Sequence, residues 1–253
     1  MIYFKKLFNR NVRLIPPKNS VISDLFIWRQ NKFWETNFEL INFKPFFEKN
    51  NKESETIKME IRDKDGQTLV NLKFVVESMK KKTINLSEIL NQSKLNHDFG
   101  TFSVYHEHLD SINEFNSFIA ERGYSSYRYN NLDTLSSVHG NLDAVSILND
   151  KKKLLGKQTL FNKNFNIQYK FENQNCYDLF FVNPTNKPLK IKLMLIKNDY
   201  KYNKILEILP AGSDVLNLKK NHEISEIIVK SKYFMSRPLV FEYNENFLNS
   251  FHA

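Results

Sequence analysis

The chain has 253 residues, 41% of them apolar, and a formal charge of +9. That length and apolar content support one large domain or two modest ones and exclude disorder throughout the chain. A single cysteine, Cys176, excludes an internal disulfide and a cysteine-based zinc framework, and it suits a reducing compartment.

Residues 1–19 read as an N-terminal arm. Basic residues are scattered among apolar ones in MIYFKKLFNRNVRLIPP, without the uninterrupted apolar stretch of a secretory signal. No later window approaches the ~18 to 20 consecutive apolar residues of a membrane span, so a cytoplasmic protein is expected. The runs Lys80-Lys81-Lys82 and Lys151-Lys152-Lys153 flank turn-like sequence and read as solvated faces, so nucleic acid is not an expected partner.

From residue 20 the pattern is one of short strands. In 56–74, Ile57, Met59 and Ile61 alternate with polar residues, and Asp65-Gly66 marks a hairpin. The same pattern recurs at 190–209, where Ile191, Leu193 and Leu195 match those positions and Asp199 matches Asp65. Thr83-Ile84-Asn85-Leu86 likewise matches Val215-Leu216-Asn217-Leu218, and Phe102 and Val104 are set against Leu239 and Phe241. Asn183-Pro184-Thr185-Asn186 reads as a type I turn.

The expected fold class is therefore all-β: a tandem duplication of an antiparallel β-sandwich or jelly-roll-like module. The first module spans 20–108 and the second 158–253. Phe26, Trp28, Phe33, Trp34 and Phe38 in the first, and Phe165, Tyr169, Phe171, Phe180 and Phe181 in the second, are expected in the cores.

Residues 109–157 form a central connector in which the two copies differ. The stretch 100–143 gathers three of the six histidines, two arginines and four tyrosines. Ser111 and Glu114 make a capping box, and Ile112, Phe115, Phe118 and Ile119 recur at helical spacing before Gly123, which predicts one short helix over 112–122. Beyond it Ser125, Tyr127 and Tyr129 alternate against Tyr124, Ser126 and Arg128, as in a strand. An Arg/Tyr/His cluster of Arg122, Tyr124, Tyr127, Arg128, His139 and Asn141 combines guanidinium forks with flat aromatic faces. That chemistry suits a carbohydrate or an anionic sugar derivative. An internal Glu121–Arg128 ion pair is the structural alternative.

His106 and His108 lie two apart at the end of a strand, where side chains project to one side. Gly100 through His106-Glu107-His108 resembles the opening half of the metal motif of the cupins, small β-barrels that include oxygenases, isomerases and sugar-modifying enzymes. The resemblance is confined to residues 100–108. It implies a centre of iron, zinc or manganese with His106, His108 and His139 as donors and Glu114 or Glu121 as the carboxylate. Without that metal no cofactor is expected.

Three functional readings follow: a carbohydrate-binding β-sandwich protein, a cupin-like metal-dependent enzyme, and a structural or assembly protein that could oligomerise. No glycine-rich phosphate loop and no GxSxG elbow is present.

Overall fold

The computed structural model describes residues 14–47, 53–92, 97–107, 119–121, 123–198, 200–233 and 237–253. In chain order the first part contains β1 (Val21–Arg29), β2 (Trp34–Ile41), the short helix α1 (Lys44–Phe47), β3 (Glu55–Asp63), β4 (Thr68–Val76), β5 (Lys81–Asn85), α2 (Leu86–Gln92), β6 (Phe99–Tyr105), β7 (Ile119–Glu121), β8 (Tyr124–Tyr129), β9 (Ser136–His139), β10 (Asn141–Leu148) and β11 (Lys151–Leu154). The second part contains β12 (Gln158–Asn166), β13 (Cys176–Val182), β14 (Leu189–Lys197), β15 (Tyr200–Ile208), β16 (Ser213–Leu218), β17 (Glu226–Tyr233), β18 (Leu239–Asn244) and β19 (Phe247–His252).

The protein is all-β, built as two stacked sandwiches. In the first, a sheet ordered β11-β10-β1-β6-β3-β4, with β7 parallel beside β1, faces a sheet ordered β5-β2-β8-β9. In the second, β12-β17-β14-β15 faces β16-β13-β18-β19. Period-two alternation drives this arrangement: Trp34, Thr36, Phe38 and Leu40 are buried along β2 while the residues between them reach solvent or the rim. Phe26, Trp28, Phe38, Ile57, Met59, Ile61, Phe102 and Val104 fill the first core. Leu179, Phe181, Ile191, Leu193, Ile227 and Val229 lie in the second.

Apart from β7, β10 and β11, which occur only in the first, the two sandwiches share one strand order. β1, β6, β3 and β4 hold the places that β12, β17, β14 and β15 hold in the second sandwich, and β5, β2, β8 and β9 correspond to β16, β13, β18 and β19. By this register Phe102 and Val104, opposite Ile61 and Met59, correspond to Ile227 and Val229, opposite Leu195 and Leu193. The sequence overlay on Leu239 and Phe241 is corrected accordingly; alternation alone cannot tell one apolar strand from the next. Strands β8 to β11, read from the sequence as connector, pair with strands of the first sandwich. The expected helix over 112–122 falls largely on residues 108–118 and 122, outside the described residues, and Ile119–Glu121 is a strand.

One polar device appears at the same place in both sandwiches. Asn42 and Asn183, each wholly buried, follow β2 and β13. The Asn42 amide donates to the Glu53 and Val76 carbonyls at 2.9 and 3.1 Å and accepts from Lys44 N at 2.9 Å. Asn183 donates to Lys187 and Ile208 carbonyls at 2.8 Å each and accepts from Thr185 N at 2.9 Å. Val76 and Ile208 are the last residues of β4 and β15, so each asparagine ties the end of its own sheet to the opposite one. Because either truncation strands buried backbone groups, Asn42→Ala and Asn183→Ala are each expected to cost about 2–3 kcal/mol in urea-induced unfolding. A cost under about 0.5 kcal/mol at either position would refute this role.

The sandwiches are joined by a third apolar layer. Ile27, Trp34, Tyr127 and Val138 of the first meet Phe180, Val182, Leu239 and Phe241 of the second. Phe180 therefore serves the layer between the sandwiches, while its neighbours Leu179 and Phe181 turn inward. Within this layer Arg29 donates to Asp178 at 2.6 Å with its guanidinium 3.5 Å from the centre of the Trp34 ring. Beside it the β3–β4 turn locks against the β15–β16 turn: Ser213 N donates to Lys64 O at 2.8 Å, and Thr101 Oγ1 to Ala211 O at 2.6 Å. Gly66 in that turn has φ +79° and lies so close that a Cβ would sit 2.1 Å from Pro210 O.

Candidate functional site

The sequence-predicted cluster is divided by the pleat of β8. Tyr127 is buried and its hydroxyl donates to Ile27 O at 2.7 Å; burial holds the phenol far above its usual range. Tyr124 projects to the other side, 59% exposed, with its ring 6.2 Å from that of His139. His139 bonds its own neighbour Gly140 O at 2.7 Å and lies 4.6 Å from the His252 ring. Burial depresses His252 to about 4, so that ring stays neutral. Asn141 pairs through its backbone with Leu25. Arg122 lies outside the described residues, as do His108 and Glu114 of the proposed metal set.

Of the metal set, His106 and Glu121 do meet, but as an ion pair. His106 Nδ1 lies 2.8 Å from Glu55 Oε1 and Nε2 lies 2.6 Å from Glu121 Oε2, with the ring stacked 3.9 Å from Phe43. Burial opposes the charge, yet the bonds to Glu121 and then Glu55 outweigh it and raise the imidazole to about 9. At neutral pH that places a proton on each ring nitrogen, directed at Glu55 from Nδ1 and at Glu121 from Nε2. The carboxylates are themselves held: Glu55 accepts from Phe43 N at 2.6 Å and Glu121 from Gly123 N at 2.5 Å. Among the described residues no group of three or more histidine, cysteine or acidic side chains is placed to hold a metal ion. The expected Glu121–Arg128 pair does not form, because Glu121 is committed to His106.

Arg128 instead reaches a groove at the opposite end of β8. Two adjoining cavities of about 260 and 390 Å³ share Asn31, Lys32, Ser87 and Asn91. The β1–β2 loop supplies Gln30 to Phe33, the start of β2 gives Trp34 and Glu35, and Asn85 to Asn91 run through α2. Arg128 Nη1 lies 3.6 Å from Glu35 Oε2, while Glu35 Oε1 accepts from Asn37 at 3.0 Å and Asn85 at 2.9 Å. Gln30 donates to Asn91 Oδ1 at 2.6 Å. Its Oε1, and Arg128 Nε, are buried without a hydrogen-bond partner. Phe33, expected in the core, is 43% exposed at the rim, because the tight turn before Trp34 swings it outward.

A larger cavity of about 670 Å³ lies beside His106, between the β10–β11 turn and β3 and β6. Of its charged groups, Lys58 pairs with Asp150 at 3.2 Å and Glu107 with Lys44 at 2.8 Å; Lys18 and the buried Tyr105 hydroxyl, which has no hydrogen-bond partner, also line it. The Arg128 groove combines buried polar atoms without hydrogen-bond partners, on Gln30 and Arg128, with walls of planar amides, a lining suited to a polar ligand. The sequence reading found Arg128 and missed Gln30, Asn31, Glu35, Asn85 and Asn91. The only signal was a run of amides at a strand-to-strand turn, which ordinary turn chemistry explains equally well.

No family model matches this chain. No curated protein matches it either. No helix among the described residues is long and apolar enough to cross a membrane.

Proposed function

We propose that this is a carbohydrate-binding β-sandwich protein whose ligand, a sugar carrying a carboxylate or another anionic group, occupies the groove between the β1–β2 loop, α2 and Arg128. The carrying observation is that two adjoining cavities lined by planar amides are bordered by Arg128 on one side and Gln30 on the other, each with a buried polar atom, Nε and Oε1, that has no hydrogen-bond partner. Amides and a carboxylate read sugar hydroxyls as paired donors and acceptors. An exposed ring such as Phe33 offers an apolar face for the sugar to cover, and the guanidinium fork suits an anionic substituent. The recurrent strand order and the Asn42 and Asn183 pair support an origin by duplication, with the groove elaborated in the first copy alone.

A binding screen over acidic and neutral oligosaccharides tests this. Wild type should retain acidic members, Arg128→Ala should bind them at least about tenfold more weakly, and Phe33→Ala should lose acidic and neutral ligands alike, about 1.4 kcal/mol or more in each case. Equal binding by Arg128→Ala and wild type, or binding by neither, would remove the reading.

A further inference from the structure

We infer that the outer face of the second sandwich docks onto an anionic membrane surface, independently of the Arg128 groove. On the β12-β17-β14-β15 sheet, Lys192 of β14 lies directly opposite Lys230 of β17. Lys190 and Lys232 are the next residues of the same alternation on β14 and β17. All four are exposed, and among the described residues none forms an ion pair. Like charges placed opposite each other on a sheet are destabilising, so this arrangement needs a compensating partner. The acidic groups on this face are Glu207, opposite Lys190, and Glu226, opposite Ile196. Glu207 therefore faces Lys190 on the neighbouring strand, whereas Lys192 and Lys230 have only Ile205 and Asn164 opposite them on their outer sides.

An apolar projection borders the same block. β12 is the edge strand, and between Gln158 and Lys163 its pairing with Tyr233 and Ser231 of β17 is broken by a bulge. The single Thr159 hydroxyl proton is shared at the bulge between two carbonyls in reach of Oγ1, Lys232 O at 2.8 Å and Phe161 O at 2.6 Å. Leu160 and Phe161 stand out from it, 88% and 78% exposed. Leucine and phenylalanine on an edge strand are costly to leave in water and invite aggregation, yet Lys157 and Lys163 on either side favour an anionic surface. Lysines that neutralise headgroups beside apolar side chains that enter the acyl boundary describe interfacial binding to anionic lipid. A soluble polyanion would satisfy the lysines and leave Leu160 and Phe161 without a role.

The test is co-sedimentation of the full chain with phosphatidylcholine vesicles containing about 30% phosphatidylserine, against pure phosphatidylcholine, near physiological salt. Wild type should sediment with the anionic vesicles only. The Lys192→Glu/Lys230→Glu variant and the Leu160→Ser/Phe161→Ser variant should each reduce partitioning at least about tenfold. Both substitutions are on exposed positions, and retained thermal unfolding confirms that the variants fold. Three results would overturn the inference: no binding to anionic vesicles, undiminished binding by the Leu160/Phe161 variant, or equal binding to uncharged vesicles. Wild-type binding to duplex DNA, lost in the lysine variant while vesicles do not sediment, would assign the face to nucleic acid instead.

Discussion

Replacing His106 with alanine should destabilise the first sandwich by about 3–5 kcal/mol, because it leaves two buried carboxylates without their shared cation. Glu55 and Glu121 come from β3 and β7, and His106 follows β6, so the clamp fastens three separate strands at one end of the sheet. Glutamine in place of histidine keeps hydrogen bonding but no charge, and should recover only part of the loss. The clamp also predicts a pH dependence. The imidazole is raised from its usual 6.5 to about 9 on folding, so its stabilisation is complete below about pH 6.5 and disappears as pH rises through about 9. A shift of that size corresponds to roughly 3 kcal/mol. Urea-induced unfolding of wild type between pH 6 and 10 should show the decline, and His106→Gln should flatten it. A wild-type profile that is level across this range would show that the ring is neutral and the clamp is not an ion pair.

The second large effect is expected at the junction between the sandwiches. Arg29 and Asp178 are both nearly inaccessible to solvent, and Asp178 also accepts from Asn217 at 2.5 Å and Tyr243 at 3.1 Å. Trp34, Phe180 and Phe241 surround the guanidinium, 3.5, 4.9 and 4.8 Å from its central carbon. This is a cation in an aromatic cage, neutralised by one carboxylate from the other sandwich. Asp178→Ala or Arg29→Ala should each cost about 3–5 kcal/mol, since either leaves a charge buried and unpaired. The double change Arg29→Met/Asp178→Leu removes both charges and keeps the volume, and it should cost less than either single change. Additive losses in that cycle would mean that the two residues act separately and that the layer coheres by apolar contact alone.

The alternation along β2, β3 and β14 made the all-β class readable, because burial on one face forces period two into the sequence. Ile57 and Ile191 occupy β3 and β14, strands at equivalent places in the two sandwiches. Assignment of Phe102 went astray since a core strand such as β6 carries no mark of which neighbour it will join; that is decided by long-range pairing with Ile61. The conspicuous residue types drew attention to 100–143, where Arg128 borders a groove and His106 and Glu121 form a buried ion pair. Their partners, Glu35 and Glu55, lie far upstream in strands whose pattern shows only ordinary exposure and alternation. A pairing between residues 51 apart, such as Glu55 with His106, has no local signature at all. The tyrosine and arginine cluster likewise looked coherent as a string, yet the pleat sends Tyr127 inward and Arg128 outward.

The location of ligand binding can be measured directly by hydrogen–deuterium exchange of the full chain with and without the tightest-binding acidic oligosaccharide. Slower exchange is predicted at residues 30–35, 85–91 and 128–131, which together line the Arg128 groove. Protection confined to the cavity beside His106, or no protection anywhere at a saturating concentration, would contradict the assignment.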